Sequence, residues 1–283
     1  MLLILLSVLL FSYNNVLWKK NLQATSIPFL VSYRAFFTST ISLALLIAFF
    51  NIDTIAPILF LKITLGSLFG VLGLFSMVCV IKKASLQWLG IYNLMGIAFT
   101  IVYLWVFESF EIQKLIIGLS IIVLGFVGFI YSNKETQLKI TMKQHLFLLL
   151  MTFSFSCSAI LHWKNLTLNV PPVLIIANQE FLIFLTGVLL TFKQGESNLY
   201  RSHLKTYFKP VLLMSIVIFA ALLFNFLGLK ETNPITTSLL FLAAPLTTIL
   251  FSTFFFKEKL SYINIIFISI IMTGAFVLHY QSA

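Results

Sequence analysis

Two ionisable residues stand where a chain this apolar has least use for charge: Arg34, in LVSYRAFF, and Glu180, in IIANQEFLIF. Each lies inside a block of about twenty apolar residues, the length of a membrane-crossing helix. A charge in hydrocarbon is costly and usually faces a cavity or a partner. The chemistry open to the pair is electrostatic: a guanidinium for a carboxylate, and a carboxylate for an ammonium or a proton. Together they suit an amino-acid-like solute. Glu180, with Asn178 and Gln179 beside it, is the residue expected to hold a cationic group or a proton, and Asn178 is a candidate ligand; the competing reading of Glu180 is a structural acid bonded to another helix. Arg34 lies only six residues into its block, near enough to the end to snorkel to the headgroups.

Uncharged polar residues at the same depth form a second tier. Asn14 and Asn15 in the first block, Asn93 in the fourth and Asn225 in the eighth are candidate solute ligands, although interhelical bonds of about 1 kcal/mol account for such residues equally well. Trp88, Tyr92, Met95, Phe99 and Tyr103 recur at helical spacing along one face of the fourth block, and Tyr92 is the candidate among them. Pro245, in FLAAPLTTIL, is a candidate hinge: it removes one backbone donor and crowds the carbonyl of Phe241, which hydrocarbon tolerates only beside a cavity or another polar group.

The elements that position these residues follow from composition. Of 283 residues, 60% are hydrophobic and 9% charged, with a mean hydropathy of +1.06. Soluble chains carry about 25% charged residues, so this one resides in a membrane. Ten blocks qualify as spans: 2–19, 28–50, 58–81, 86–107, 114–132, 145–163, 172–192, 210–229, 234–256 and 261–280. Solid apolar runs exclude the period-2 alternation of a barrel, so the fold class is an all-α integral membrane protein. The first block lacks a basic leader and a small-residue cleavage site, and is read as retained.

Gly66-Gly70-Gly73 and Gly118-Gly125-Gly128 are ladders of small residues for close helix contact, within the chain or in a homodimer. Cys79 and Cys157 are isolated, and no metal or cofactor is expected. The net charge of +10 is spread over nearly every loop, which fits contact with membrane lipid and not with nucleic acid.

The chain also resembles itself. At an offset of 144, Phe11-Ser12 falls on Phe155-Ser156, Lys20-Asn21-Leu22 on Lys164-Asn165-Leu166, and Pro28 on Pro172; at an offset of 150, Glu108 falls on Glu258. This divides the chain into a five-helix repeat over 1–132, a polar linker over 133–143 and a second repeat over 144–283. Two copies of an odd number of helices must face opposite ways in the bilayer, giving an inverted repeat.

Ten helices in a five-plus-five arrangement, a glutamate closing helices four and nine, and a first helix ending in Trp18-Lys19 resemble the EamA-type branch of the drug/metabolite transporter superfamily. The resemblance implies a secondary transporter, an exporter or exchanger of a small polar metabolite, working by alternating access. It also implies a multi-pass protein of a bacterial inner membrane. One departure is plain: where that family carries a fourth-helix proline matching Pro245, this chain has Met95 followed by Gly96. No phosphate-cradling loop is present, so no ATP motor is encoded here. The chain is therefore read as no enzyme. The alternative is a membrane-embedded enzyme, against which His145, His162, His203 and His279 stand in four different segments, or a non-transporting assembly protein. Thirteen of the eighteen basic residues fall on the side of the loops after helices 1, 3, 5, 7 and 9. Their bias puts both termini outside, whereas the resemblance puts them inside.

Overall fold

Long apolar blocks can satisfy their own backbone in lipid only as helices, and the computed structural model of the chain is helical almost throughout. It describes residues 1–50, 56–108, 116–132, 140–195, 197–232, 234–241, 243–257 and 261–282, with no strand among them. The helices are α1 (Leu2–Leu22), α2 (Ile27–Phe49), α3 (Pro57–Ile81), α4 (Leu86–Glu108), α5 (Ile116–Ser132) and α6 (Met142–Thr167). They continue as α7 (Pro172–Lys193), α8 (Ser197–Glu231), α9 (Pro234–Leu240), α10 (Ala243–Phe256) and α11 (Tyr262–Ser282). Seven of them, α1 to α4 and α6 to α8, are long and apolar enough to cross a membrane, and α5, α10 and α11 carry shorter apolar stretches. The protein is a multi-pass membrane protein.

Local chemistry sets several of the ends. The Ser26 side chain caps α2 by accepting from the Phe29 amide at 3.4 Å, with Pro28 in the first turn. Thr141 and Gln144 close a reciprocal capping box at the start of α6.

Two sequence expectations need correction. The block 234–256 is not one kinked helix: α9 stops at Leu240 and α10 starts at Ala243. Pro245 therefore sits in the first turn of α10, where its missing N–H leaves no bond unmade. The eighth block also starts earlier than 210, because α8 begins at Ser197 and runs through Pro210. The Glu258 end of the 150-residue offset lies outside the described residues.

The helices pack mainly in pairs drawn from opposite halves of the chain: α2 with α7, α3 with α6, α5 with α11, α1 with α8, and α4 with α10. A second set, α2 with α8, α3 with α7, α1 with α10 and α4 with α6, ties these pairs together. Both glycine ladders are consumed inside the chain. Those of α3 face α6 and α7, and those of α5 face α11. Outward positions stay apolar; Phe49, Leu124 and Phe254 are 74%, 69% and 80% exposed, as lipid contact requires.

Candidate functional site

Where the two halves meet lies a cavity of about 240 Å³, lined by side chains from α1 to α4 and α6 to α10. Arg34 enters it from α2 and Glu180 from α7, helices that pack side by side. Their closest atoms, Nη1 and Oε2, are 2.9 Å apart, and both side chains are almost wholly buried. The contact is an ion pair without a well-aligned hydrogen bond, and Arg34 Nε and Nη2 have no hydrogen-bond partner among the described residues. The guanidinium lies over the Trp18 ring of α1, 5.5 Å from its centre. Trp18 Nε1 is buried and likewise unpartnered.

This geometry changes what the two charges can do. With no solute present, Arg34 and Glu180 are each other's counter-ion. Removing either one would strand a charge in low dielectric, at a cost of about 3–5 kcal/mol. The backbone around Arg34 is fixed as well: its carbonyl accepts from Ser215 Oγ of α8 at 2.9 Å.

Asn14, Asn93 and Asn225 also line the cavity, from α1, α4 and α8. Asn14 Oδ1 and Asn225 Oδ1 are buried without a hydrogen-bond partner. Two other candidates lie elsewhere. Asn178 donates to Thr64 Oγ1 of α3 at 3.2 Å and is not in the lining. Residues two apart on a helix point in nearly opposite directions, so the face that carries Glu180 inward turns Asn178 away. Tyr92 bonds His145 Nδ1 through its hydroxyl at 2.5 Å and packs edge-on against Phe126. Its aromatic stripe on α4 is packing, and the neighbouring face of Asn93, Gly96 and Thr100 borders the cavity instead.

Among the lining residues that the sequence reading did not put forward as ligands are Trp18, Gln179 and His162. The last two sit where α3 has glycine. A Cβ on Gly66 would come within 2.8 Å of His162 Cε1, and one on Gly70 within 2.6 Å of Gln179 Oε1. The Gly66-Gly70-Gly73 spacing was therefore the available signal, marking places where bulky neighbours enter. His162 also packs edge-on against Phe226, with ring centres 5.4 Å apart.

The α9–α10 interruption forms one end of the cavity through Thr237, Phe241 and Ala244. The Phe241 carbonyl, deprived of a donor by Pro245, accepts from the Ala244 amide at 2.9 Å, a tighter turn that ends α9. The Phe241 ring meets Phe11 of α1, centres 6.0 Å apart. Ser12, next in sequence, contacts Thr247 at 2.6 Å and accepts from Thr248 at 3.1 Å, tying α10 to α1.

No curated protein matches this chain. Chains of known structure do; one crystal structure, described only as that of a protein, superposes with a TM-score of 0.64 over 96% of this chain and 95% of its own, at 15% identity. At that identity the likeness concerns the fold alone. Residues 142–280 match the EamA-like transporter family. The stretch so matched runs from α6 to α11 and supplies Glu180, Gln179, His162 and the broken α9–α10 element to the cavity.

Proposed function

We propose that the protein is a secondary transporter that moves a small polar, amino-acid-like metabolite through the central cavity by alternating access between two inverted five-helix repeats. The observation that carries the reading is the buried Arg34–Glu180 pair in a cavity assembled from both halves. A solute carboxylate has Arg34 Nε and Nη2 and Trp18 Nε1 as donors, while a solute ammonium has Glu180 and the unpartnered amide oxygens of Asn14 and Asn225 as acceptors.

The repeat is supported by how the helices pair. Exchange α1 with α6, α2 with α7, α3 with α8, α4 with α9–α10, and α5 with α11. The pairs α2·α7, α5·α11 and α4·α10 then map onto themselves. The pair α3·α6 becomes α1·α8, α2·α8 becomes α3·α7, and α4·α6 becomes α1·α10, all of them pairs that pack. A two-fold relation between five-helix units accounts for that, and an odd number of helices sets them antiparallel in the bilayer. Residues 133–139 of the linker lie outside the described residues.

The test is exchange in proteoliposomes preloaded with unlabelled amino acids and given a panel of labelled ones, phenylalanine included because five aromatic side chains line the cavity. Saturable exchange of at least one member, lowered strongly by Glu180→Gln in a folded protein, is the expected result. Exchange equal to that of empty liposomes for the whole panel defeats the reading.

A further inference from the structure

We propose that His162 is the proton-binding residue of the cavity, allowing the Arg34–Glu180 site to take a carboxylate solute of net negative charge together with one proton. This rests on the transporter reading above and extends its substrate class from zwitterions to anions that lack an amine.

Three of the lining residues are ionisable: Arg34, Glu180 and His162. The first two cancel. A zwitterion that joins them leaves the cavity neutral, but a simple carboxylate leaves it with one negative charge in low dielectric, an unstable arrangement. One proton restores neutrality, and there are two places to put it.

Glu180 is the poorer place. Arg34 uses Nη1 for Glu180 and has Nε and Nη2 over, so its fork can hold the solute carboxylate without releasing Glu180. His162 is the better one. Its side chain is 1% exposed, and neither ring nitrogen makes a hydrogen bond of ordinary geometry among the described residues. An imidazole, unlike an amide or a hydroxyl, can take up a proton when an anion is bound beside it.

The elements packed on α6 bring it no fixed counter-ion. Toward it, α3 presents Gly66 and Gly70, and its Lys62 is exposed. From α8 come Phe226 and Asn225, while Lys230 and Glu231 are exposed at the helix end. The α7 side chains are the neutral amide of Gln179 and, across the cavity, Glu180. From α4 comes Tyr103, whose ring carries the Lys164 ammonium of α6 itself, and from α9 the uncharged Thr237. The proton therefore comes from solution, ends on a ring nitrogen of His162, and is balanced by the solute's own charge.

A matched pair of probes tests this: L-phenyllactate and L-phenylalanine, which differ by hydroxyl against ammonium. Calorimetric titration of the purified protein at about pH 8, in two buffers of different ionisation enthalpy, counts the protons taken up per ligand bound. Phenyllactate is expected to take up about one proton and phenylalanine none. In His162→Gln the uptake disappears and phenyllactate weakens about tenfold, several times more than phenylalanine does. His162→Asn serves as the second variant, and an unchanged unfolding temperature certifies either. Phenyllactate binding without proton uptake, phenylalanine binding without phenyllactate binding, or uptake that survives in His162→Gln and vanishes in Glu180→Gln overturns the proposal. Each of those leaves the transporter reading intact. Binding of neither probe, with no exchange in proteoliposomes, fells both.

Discussion

Two seams in this molecule are built from glycine, and they use it differently. Along α3, the space left by Gly66, Gly70 and Gly73 is filled by the ends of side chains: the His162 ring, the Gln179 amide and the Phe155 ring. Between α5 and α11, Gly125 and Gly128 likewise face the Ile271 and Phe267 side chains, but a Cβ on Gly274 would meet backbone, the Ile122 nitrogen at 2.8 Å and the Gly118 carbonyl oxygen at 2.9 Å. A side-chain end can swing away from an added methyl; a helix backbone moves only if the whole helix moves. The first seam shapes the cavity and is adjustable. At Gly274 the second brings two backbones together and is not. Chemically identical substitutions in the two seams should then be read out by different measurements.

The largest effect bounds the comparison from the cavity side. Arg34→Met should cost about 3–5 kcal/mol in unfolding free energy, since it strands Glu180, and the double variant Arg34→Met/Glu180→Met should recover most of that while abolishing exchange. A single variant as stable as the parent would mean that the pair carries no compensated charge. Next, Gly274→Ala should lower stability by about 1–3 kcal/mol through overpacking, with exchange per folded molecule unchanged. Loss of exchange at full stability would erase the distinction between the seams.

Gly70→Ala is the matching change in α3. It should cost under about 1 kcal/mol, because Gln179 can rotate, yet reduce exchange about tenfold by pushing that amide into the cavity. Equal losses of stability in Gly70→Ala and Gly274→Ala would break the comparison. The smallest expected change in stability is that of Pro245→Ala, within about 1 kcal/mol. It restores a backbone donor facing Phe241 and favours joining α9 to α10, so exchange should fall more than folded yield. Parallel losses would make the interruption a packing feature alone.

The two helices at the Phe241 end also differ in a way that one residue explains. In α4 the Gly96 carbonyl accepts from Thr100 at 2.9 Å and Ser156 at 3.1 Å, and the helix runs on. In α9–α10, Pro245 removes one donor and the helix divides.

Apolar run length, read residue by residue, determined that the chain is helical and membrane-spanning, because in lipid a backbone can be satisfied only within its own segment. It also determined that Arg34 and Glu180 are out of place, since their cost depends on depth alone. The position of the α9–α10 interruption was half legible: Pro245 named the carbonyl that would lose its donor, but not that Ala244 would supply another and end the helix. Which polar residues share a cavity was not legible. Asn178 and Glu180 are two residues apart and part company by helical rotation, whereas Arg34 and Glu180, 146 positions apart, touch. That choice belongs to the packing of α2 on α7 and α3 on α6, long-range contacts fixed by shape: glycine on one helix and a bulky side chain on the other. Neither helix's sequence contains its partner, so only the tertiary structure could bring His162, Gln179 and Trp18 to the charged pair.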